Sequence, residues 1–169
     1  AGESKRLKSS TPKPYQIINN KSLIEYSINA FKEFNEIKKV IVVLNKKHKK
    51  YFIKNILKNT IIVIGGKDRQ TSTFNALKAI RKMNCSKVLI HDVARPNISK
   101  KIIENIIKKL KNNHAVIPVI KATDSTKRIS KNIIFKNIKR NSLRFSQTPQ
   151  GFTFKKIFNK HLKNINKSF

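Results

Sequence analysis

The chain has 169 residues and a formal charge of +31, with 39 Lys and Arg against 8 Asp and Glu, a length that suits one α/β domain with a core of its own. Its single cysteine, Cys85, excludes an internal disulfide and suits a reducing compartment, and the four histidines are too scattered for a zinc finger. No apolar run reaches bilayer length, and the first residues lack the charged-then-apolar order of a signal peptide; the expectation is a protein without a membrane span, in the cytoplasm or the lumen of a plastid-like organelle.

The opening AGESKRLKSSTPKPYQII, rich in Gly, Ser, Pro and Lys, reads as a loop. KSLIEYSINAFKEF spaces Leu23, Ile24, Ser27, Ile28, Phe31 and Phe34 along one face of a helix. KKVIVVL, ending at Leu44, is a short continuous apolar run, the pattern of a strand buried on both faces. A basic amphipathic helix is predicted around Tyr51 to Leu57. TIIVIGG follows as a second buried strand ending in two glycines, then TSTFNALKAIRKM as a helix that Thr71 or Ser72 is placed to cap. KVLIHD predicts a third strand, SKKIIENIIKKL a helix capped by Ser99, and HAVIPVI a fourth strand. From Lys121 to Gln147 short β-prone pieces alternate with polar turns, an excursion of hairpin type. FTFKKIFNKHLKNI returns to helical spacing.

Strands alternating with helices predict an α/β fold: a Rossmann-like, mostly parallel sheet with helices on both faces and a protruding β-arm. Residues 1–120 are expected to form the core and 121–146 the arm, with 147–169 returning to the core. Ligands of such sheets bind beyond the carboxyl ends of the strands. That rule selects the loops Gly65–Ser72 and His91–Pro96 and the segment after Val119.

The charge has two readings, a nucleic-acid or anionic-membrane surface and compositional drift. Lysines are spread over the whole chain with few aromatics between them, so no dedicated nucleic-acid binding and no membrane contact are expected. The positive field would still attract a triphosphate. Magnesium takes oxygen ligands, and only Glu3, Glu25, Glu33, Glu36, Asp68, Asp92, Glu104 and Asp124 can offer carboxylates. Glu25, Glu33, Glu36 and Glu104 fall at exposed helical positions, which leaves Asp92, at the end of a predicted strand, as the best metal or ribose candidate.

Gly2, Arg6 and Lys13 make the opening loop a candidate phosphate cradle, with a solvated basic loop as the plain alternative. The two glycines of IGGKDRQTS let backbone approach a base or phosphate, or serve an ordinary tight turn. Arg95 follows Asp92 by three residues, and Pro96 fixes the chain direction. Thr148, before Pro149, can offer hydroxyl and backbone to a phosphate or close a structural turn. Asp124, Ser125, Thr126, Lys127 and Arg128 form a further polar cluster.

AGESKRLKSSTPKPY, GGKDRQTS, HDVARP, DSTKR and RNSLRFSQTPQGF, in that order, resemble the 2-C-methyl-D-erythritol 4-phosphate cytidylyltransferase family. The family pattern runs AAG-x-G-x-R, PKQY, GG-x-x-R-x-x-S, HDAARP, DT-x-KR and R-x-x-L-W-x-x-QTPQ-x-F. The resemblance implies transfer of CMP from CTP to this sugar-alcohol phosphate in non-mevalonate isoprenoid biosynthesis, with Mg²⁺ or another divalent cation. It implies a homodimer whose arm crosses to the partner. It also implies catalytic roles for Arg6, Lys13 and Arg140, nucleotide contacts from Ala1, Gly2, Gly66, Arg69, Ser72 and Asp92, and a metal at Asp92. Substrate contacts are implied for Arg95, Ser125, Arg140 and Thr148. Ser4, Pro14, Val93 and Arg144 depart from the pattern. The family's first strand and its late catalytic lysine have no counterpart in the chain, so the resemblance implies a fragment. A ribitol 5-phosphate cytidylyltransferase of the same fold, and a basic nucleic-acid-binding protein, stay open as alternatives.

Overall fold

The computed structural model describes residues 11–51 and 60–164. Ala1, Gly2 and Arg6 lie outside the described residues, as does nearly all of the helix expected between Tyr51 and Leu57.

A 3-10 turn (Lys13–Tyr15) behind Pro12 leads into a small hairpin, β1 (Ile17–Ile18) and β2 (Lys21–Ser22). Asn19 and Asn20 turn it at φ 47° and 61°, left-handed values that Asn tolerates better than most residues. The sequence reads this stretch as loop; the Asn-Asn pair is the signal for the turn. α1 (Leu23–Lys32) begins at a capping box. The Glu25 carboxylate accepts the Ser22 N–H at 2.6 Å, and Ser22 Oγ accepts the Glu25 N–H at 3.4 Å. Glu25 therefore starts the helix rather than decorating its exposed face. The helix buries the predicted stripe Leu23, Ile24, Ser27, Ile28 and Phe31, and ends before Phe34.

β3 (Val40–Leu44) and β4 (Thr60–Ile64) pair in parallel, from Val40 against Thr60 to Leu44 against Ile64. β3 buries Val42 and Leu44, but Ile62 and Ile64 of β4 stay 46% and 41% exposed. An apolar run does not reveal which of its faces is covered, and β4 is only half covered. α2 (Arg69–Ala79) packs on both strands. Its cap is Asp68, not Thr71 or Ser72: the Asp68 carboxylate accepts the Thr71 N–H at 2.7 Å, a bond that holds its pKa below the ordinary carboxylate value.

β5 (Lys87–Ile90) is followed by α3 (Lys100–Lys109), β6 (Ala115–Val116) and β7 (Val119–Lys121). Ser99 stands at the cap position of α3, but its side chain makes no capping bond. The chain continues through β8 (Thr126–Ser130), β9 (Ile133–Ile138), β10 (Arg144–Ser146), β11 (Gln150–Thr153) and α4 (Phe154–Lys163). β11 inserts between β5 and β6, antiparallel to both, so β5 and β6 point the same way. The α/β class stands as expected, and the strand pairing is mixed: β3 and β4 pair in parallel, while β5 and β6 share one antiparallel member. That member comes from the segment read as a turn running into a helix.

Helices cover both faces of this part of the sheet. On one face Phe74 and Leu77 of α2 meet Phe158 of α4, with Val88 of β5 against them. On the other, α3 approaches so closely that a Cβ on Gly151 would sit 2.6 Å from Ile106 Cγ2 and 2.7 Å from Leu110 Cδ1. Gly151 pairs with Leu89, the strand neighbour of Val88, so the alternation of β5 separates the two faces. No helix among the described residues is long and apolar enough to cross a membrane.

The expected excursion is an antiparallel hairpin of β8 and β9, turned at Lys131 and Asn132 with φ 47° and 65°. Its side chains stand out from the core: Ile129, Ile133, Ile134 and Phe135 are 61%, 69%, 59% and 58% exposed. Below it β10 pairs with β7, Arg144 against Lys121.

One pH effect arises from the α2–α4 contact. The His161 ring stacks on Phe74 at 5.9 Å, nearly parallel, and burial pushes its pKa below the ordinary value of 6.5. The unfolded chain then takes up the proton first as pH falls. The stability from the neutral ring is complete above the unfolded value of 6.5 and is lost as pH falls from there through the lowered folded value. His161→Phe, which keeps an aromatic stack and cannot titrate, is expected to lose less stability than the wild type between about pH 7.5 and about pH 5.5 in urea unfolding. Equal losses in the two proteins would exclude His161 as a source of the slope.

Candidate nucleotide-binding site

Three loops converge at one end of the strands: those that leave the carboxyl ends of β4 and β5, and the one that enters β11. The first to consider follows β4. Gly65 N–H donates to the Leu44 carbonyl oxygen at 2.8 Å, which holds the glycine pair beside the end of β3. Ser72, buried in the first turn of α2, closes the loop through its hydroxyl: Oγ accepts the Gly66 N–H at 3.1 Å. Gly66 packs so tightly here that a Cβ would lie 2.2 Å from Thr71 Cγ2 and 2.5 Å from Thr71 Cβ. Rotating the Thr71 side chain moves Cγ2 but not Cβ, so the start of α2 would have to shift. Gly66→Ala is expected to cost about 1–3 kcal/mol of stability and to weaken the binding of a phosphate-bearing ligand at this loop, read by urea unfolding and by titration with nucleoside triphosphates; an unchanged protein in both would mean that the helix start yields freely.

The second loop carries HDVARP beyond β5. Arg69, the first residue of α2, places Nη2 3.3 Å from Asp92 Oδ1, so the glycine loop and the aspartate loop meet through a partly exposed ion pair. Val93 packs on the core cluster of Ile24, Ile28, Val42 and Leu44. Tyr15 packs on the same cluster, and burial pushes its hydroxyl up to about 12. The turn that carries Lys13 is therefore anchored on the core that also anchors the Asp92 turn. That shared anchor was not visible in the sequence, where Lys13 and Asp92 lie far apart.

The third loop brings Thr148. Its Oγ1 lies 2.9 Å from His91 Nδ1 and accepts the Asp92 N–H at 3.4 Å. The Thr148–Pro149 peptide is cis and Pro149 is fully buried. Arg95 joins the same grouping, its guanidinium donating to Gln147 Oε1. His91 fills the space behind, its ring 5.3 Å from that of Phe31, with Nε2 3.1 Å from the Arg95 carbonyl oxygen. Burial pushes the His91 pKa down, which favours the neutral ring. Neither His91 nor Gln147 was singled out from the sequence, although both lie inside motifs that were.

Arg140 and Ser125 form a second grouping at the base of the hairpin. Arg140, exposed, donates from Nη1 to the Thr123 carbonyl oxygen at 3.3 Å, two residues from the exposed Ser125. The structure thus gathers Gly66, Arg69, Ser72, Asp92, Arg95 and Thr148 at one end of the sheet, with Lys13 on a turn anchored beside them. It sets Arg140 with the hairpin.

Among the described residues no group of three or more His, Cys, Asp or Glu could hold a metal. Asp92 offers a single carboxylate, which suits a site that shares a hard cation with a bound phosphate rather than one that encloses it.

Fold and site together define an α/β protein of Rossmann-like type with an anion-receptive mouth at the carboxyl ends of its strands. A family model described as IspD, 2-C-methyl-D-erythritol 4-phosphate cytidylyltransferase, matches residues 1–169, and the chain belongs to that family. A bifunctional IspD/IspF enzyme of Pelagibacter ubique is 47% identical over 158 residues, 93% of this chain and 42% of that protein. A 2-C-methyl-D-erythritol 4-phosphate cytidylyltransferase of Clostridioides difficile is 35% identical over 162 residues, 93% of the chain and 68% of the relative. The crystal structure of a 4-diphosphocytidyl-2C-methyl-D-erythritol synthase from Anaerococcus prevotii superposes with a TM-score of 0.83 at 29% identity, covering 92% of this chain and 73% of that one. The chain thus spans less than half the length of the Pelagibacter relative.

Proposed function

We propose that the protein carrying this chain transfers CMP from CTP to 2-C-methyl-D-erythritol 4-phosphate, releasing pyrophosphate and forming 4-diphosphocytidyl-2-C-methyl-D-erythritol for non-mevalonate isoprenoid biosynthesis. The single observation that carries this reading is the Arg69–Asp92 contact, which joins the GGKDRQTS and HDVARP loops at the strand ends. A phosphate oxygen of the acceptor attacks the α-phosphorus of CTP, a new P–O bond forms, and the bond to the leaving pyrophosphate breaks. No covalent intermediate on the protein is needed. Gly66, Arg69 and Ser72 hold the nucleotide with Ala1 and Gly2, and Lys13 and Arg6 balance charge on the phosphates. Arg95 and Thr148 face the acceptor. Asp92 would hold Mg²⁺, which when bound neutralises charge on the triphosphate.

In this reading the protein is a homodimer. The hairpin within 121–146 crosses to the partner and delivers Ser125 and Arg140, Arg140 sharing in catalysis. The apolar side chains exposed on β8 and β9 support that use, since isolated surface apolar groups are ordinary but a cluster on a protruding arm marks a contact surface. One free cysteine suits a reducing compartment, and the reading places the reaction in the cytoplasm or a plastid-like lumen. The test is an assay of the full-length gene product with CTP, Mg²⁺ and each acceptor in turn, following the diphosphate product by phosphorus NMR. Turnover of 2-C-methyl-D-erythritol 4-phosphate is expected. Turnover of ribitol 5-phosphate alone would replace the acceptor, and steeply salt-dependent nucleic-acid binding without turnover would replace the reading.

A further inference from the structure

We propose that His91 is a positioning residue that ties Thr148 to the turn bearing Asp92 and Arg95. The inference rests on the cytidylyltransferase reading. A carbonyl oxygen only accepts, so the 3.1 Å contact with the Arg95 carbonyl puts the ring proton on Nε2. A ring with that one proton has a bare Nδ1, which at 2.9 Å accepts the Thr148 hydroxyl proton. The same hydroxyl oxygen accepts the Asp92 N–H at 3.4 Å. His91 thus closes its own turn through Arg95 and fastens that turn to Thr148.

Two neighbouring contacts reinforce the tie. The Arg95 guanidinium donates to Gln147 Oε1, and the Gln147 N–H donates to the Pro118 carbonyl oxygen at 2.8 Å. The ring leans on Phe31 of α1, which leaves it little freedom to turn. Asp92 and Arg95 lie on an irregular turn with no ladder of their own, so their direction depends on this clasp. The Thr148 hydroxyl, expected from sequence to meet a phosphate, spends its proton on His91.

Enzymes lose rate steeply when reacting groups shift by even an ångström. In the full-length gene product, His91→Phe and Thr148→Val are each expected to lower kcat/KM for CMP transfer ~10-fold or more. The double variant should be no worse than the poorer single, because both break one connection. His91→Asn, which can place a carbonyl oxygen near the Nδ1 position, should recover most of the loss. Losses that multiply in the double variant, or wild-type rates in His91→Phe, would overturn the proposal. A readout independent of turnover is the nitrogen NMR spectrum of the His91 ring, expected to have Nε2 protonated and Nδ1 bare, with the Nδ1 signal moving in Thr148→Val. A protonated Nδ1 would also overturn it. If the wild type turned over neither acceptor while the ring spectrum matched, the proposed function would fail and the clasp would stand.

Discussion

Asp92→Asn in the full-length gene product is expected to lower CMP transfer about 100-fold or more with almost no change in thermal unfolding. The two halves of that expectation have separate causes. The Asp92 side chain is partly exposed and paired with an exposed Arg69. Such pairs contribute about 0–1 kcal/mol, and the backbone bond from Asp92 to Thr148 survives the change. The fold therefore hardly depends on this carboxylate. The proposed chemistry does, because Asp68, the other carboxylate that the described residues bring into these loops, is committed to the Thr71 N–H at the cap of α2. Asparagine keeps the volume and loses the charge that would hold a divalent cation. Rates measured against Mg²⁺ concentration at saturating CTP, with unfolding midpoints on the same samples, separate the two. A near-wild-type kcat across the metal titration would remove Asp92 from this role, and an equally large fall in stability would make the effect structural.

What could be read from the sequence follows from how local each signal is. The helix stripe from Leu23 to Phe31 and the run that becomes β3 are written in consecutive residues, and both fold where expected. The GGKDRQTS and HDVARP loops were located by a rule about strand ends, and the Arg69–Asp92 pair joins them. β11 was missed because Gln150–Thr153 is four residues long and becomes a strand only by pairing with β5 and β6, both distant in sequence. Its place in the sheet is a tertiary fact with no local trace. The cap of α2 was misplaced for a smaller reason. Asp68, Thr71 and Ser72 are all capping types, and sequence alone does not choose among them. Ser72 turned out to bond Gly66 instead, a role that ties the helix to the loop. His91 went unnoticed because its importance lies in two partners, one of them 57 residues away.

Lys13→Ala tests whether charge at this mouth is general or placed. The protein carries 39 Lys and Arg and a formal charge of +31, so removing one lysine leaves +30 (31 − 1). If CTP is drawn only by the overall field, the loss should be slight, since exposed charges beyond about 8–10 Å are largely screened at ordinary ionic strength and no single one dominates. If Lys13 is aimed at the phosphates, the loss should be ~100-fold or more in kcat, the scale found when one preorganised group that meets transition-state charge is removed. The structure favours aim. Pro12 sets the start of the 3-10 turn, the Gln16 N–H closes it on the Lys13 carbonyl at 3.2 Å, and Tyr15 pins it to the core cluster under Val93. The backbone that carries Lys13 is thus fixed by the turn and the core rather than by its side chain, and Lys13→Ala should unfold at nearly the wild-type temperature. Lys13→Arg sharpens the result. It keeps the charge but replaces a compact ammonium by a planar fork, so a field account predicts full activity and a placed cation predicts only partial recovery. Steady-state rates at two ionic strengths decide: a few-fold loss that vanishes in high salt would leave Lys13 as one lysine among many.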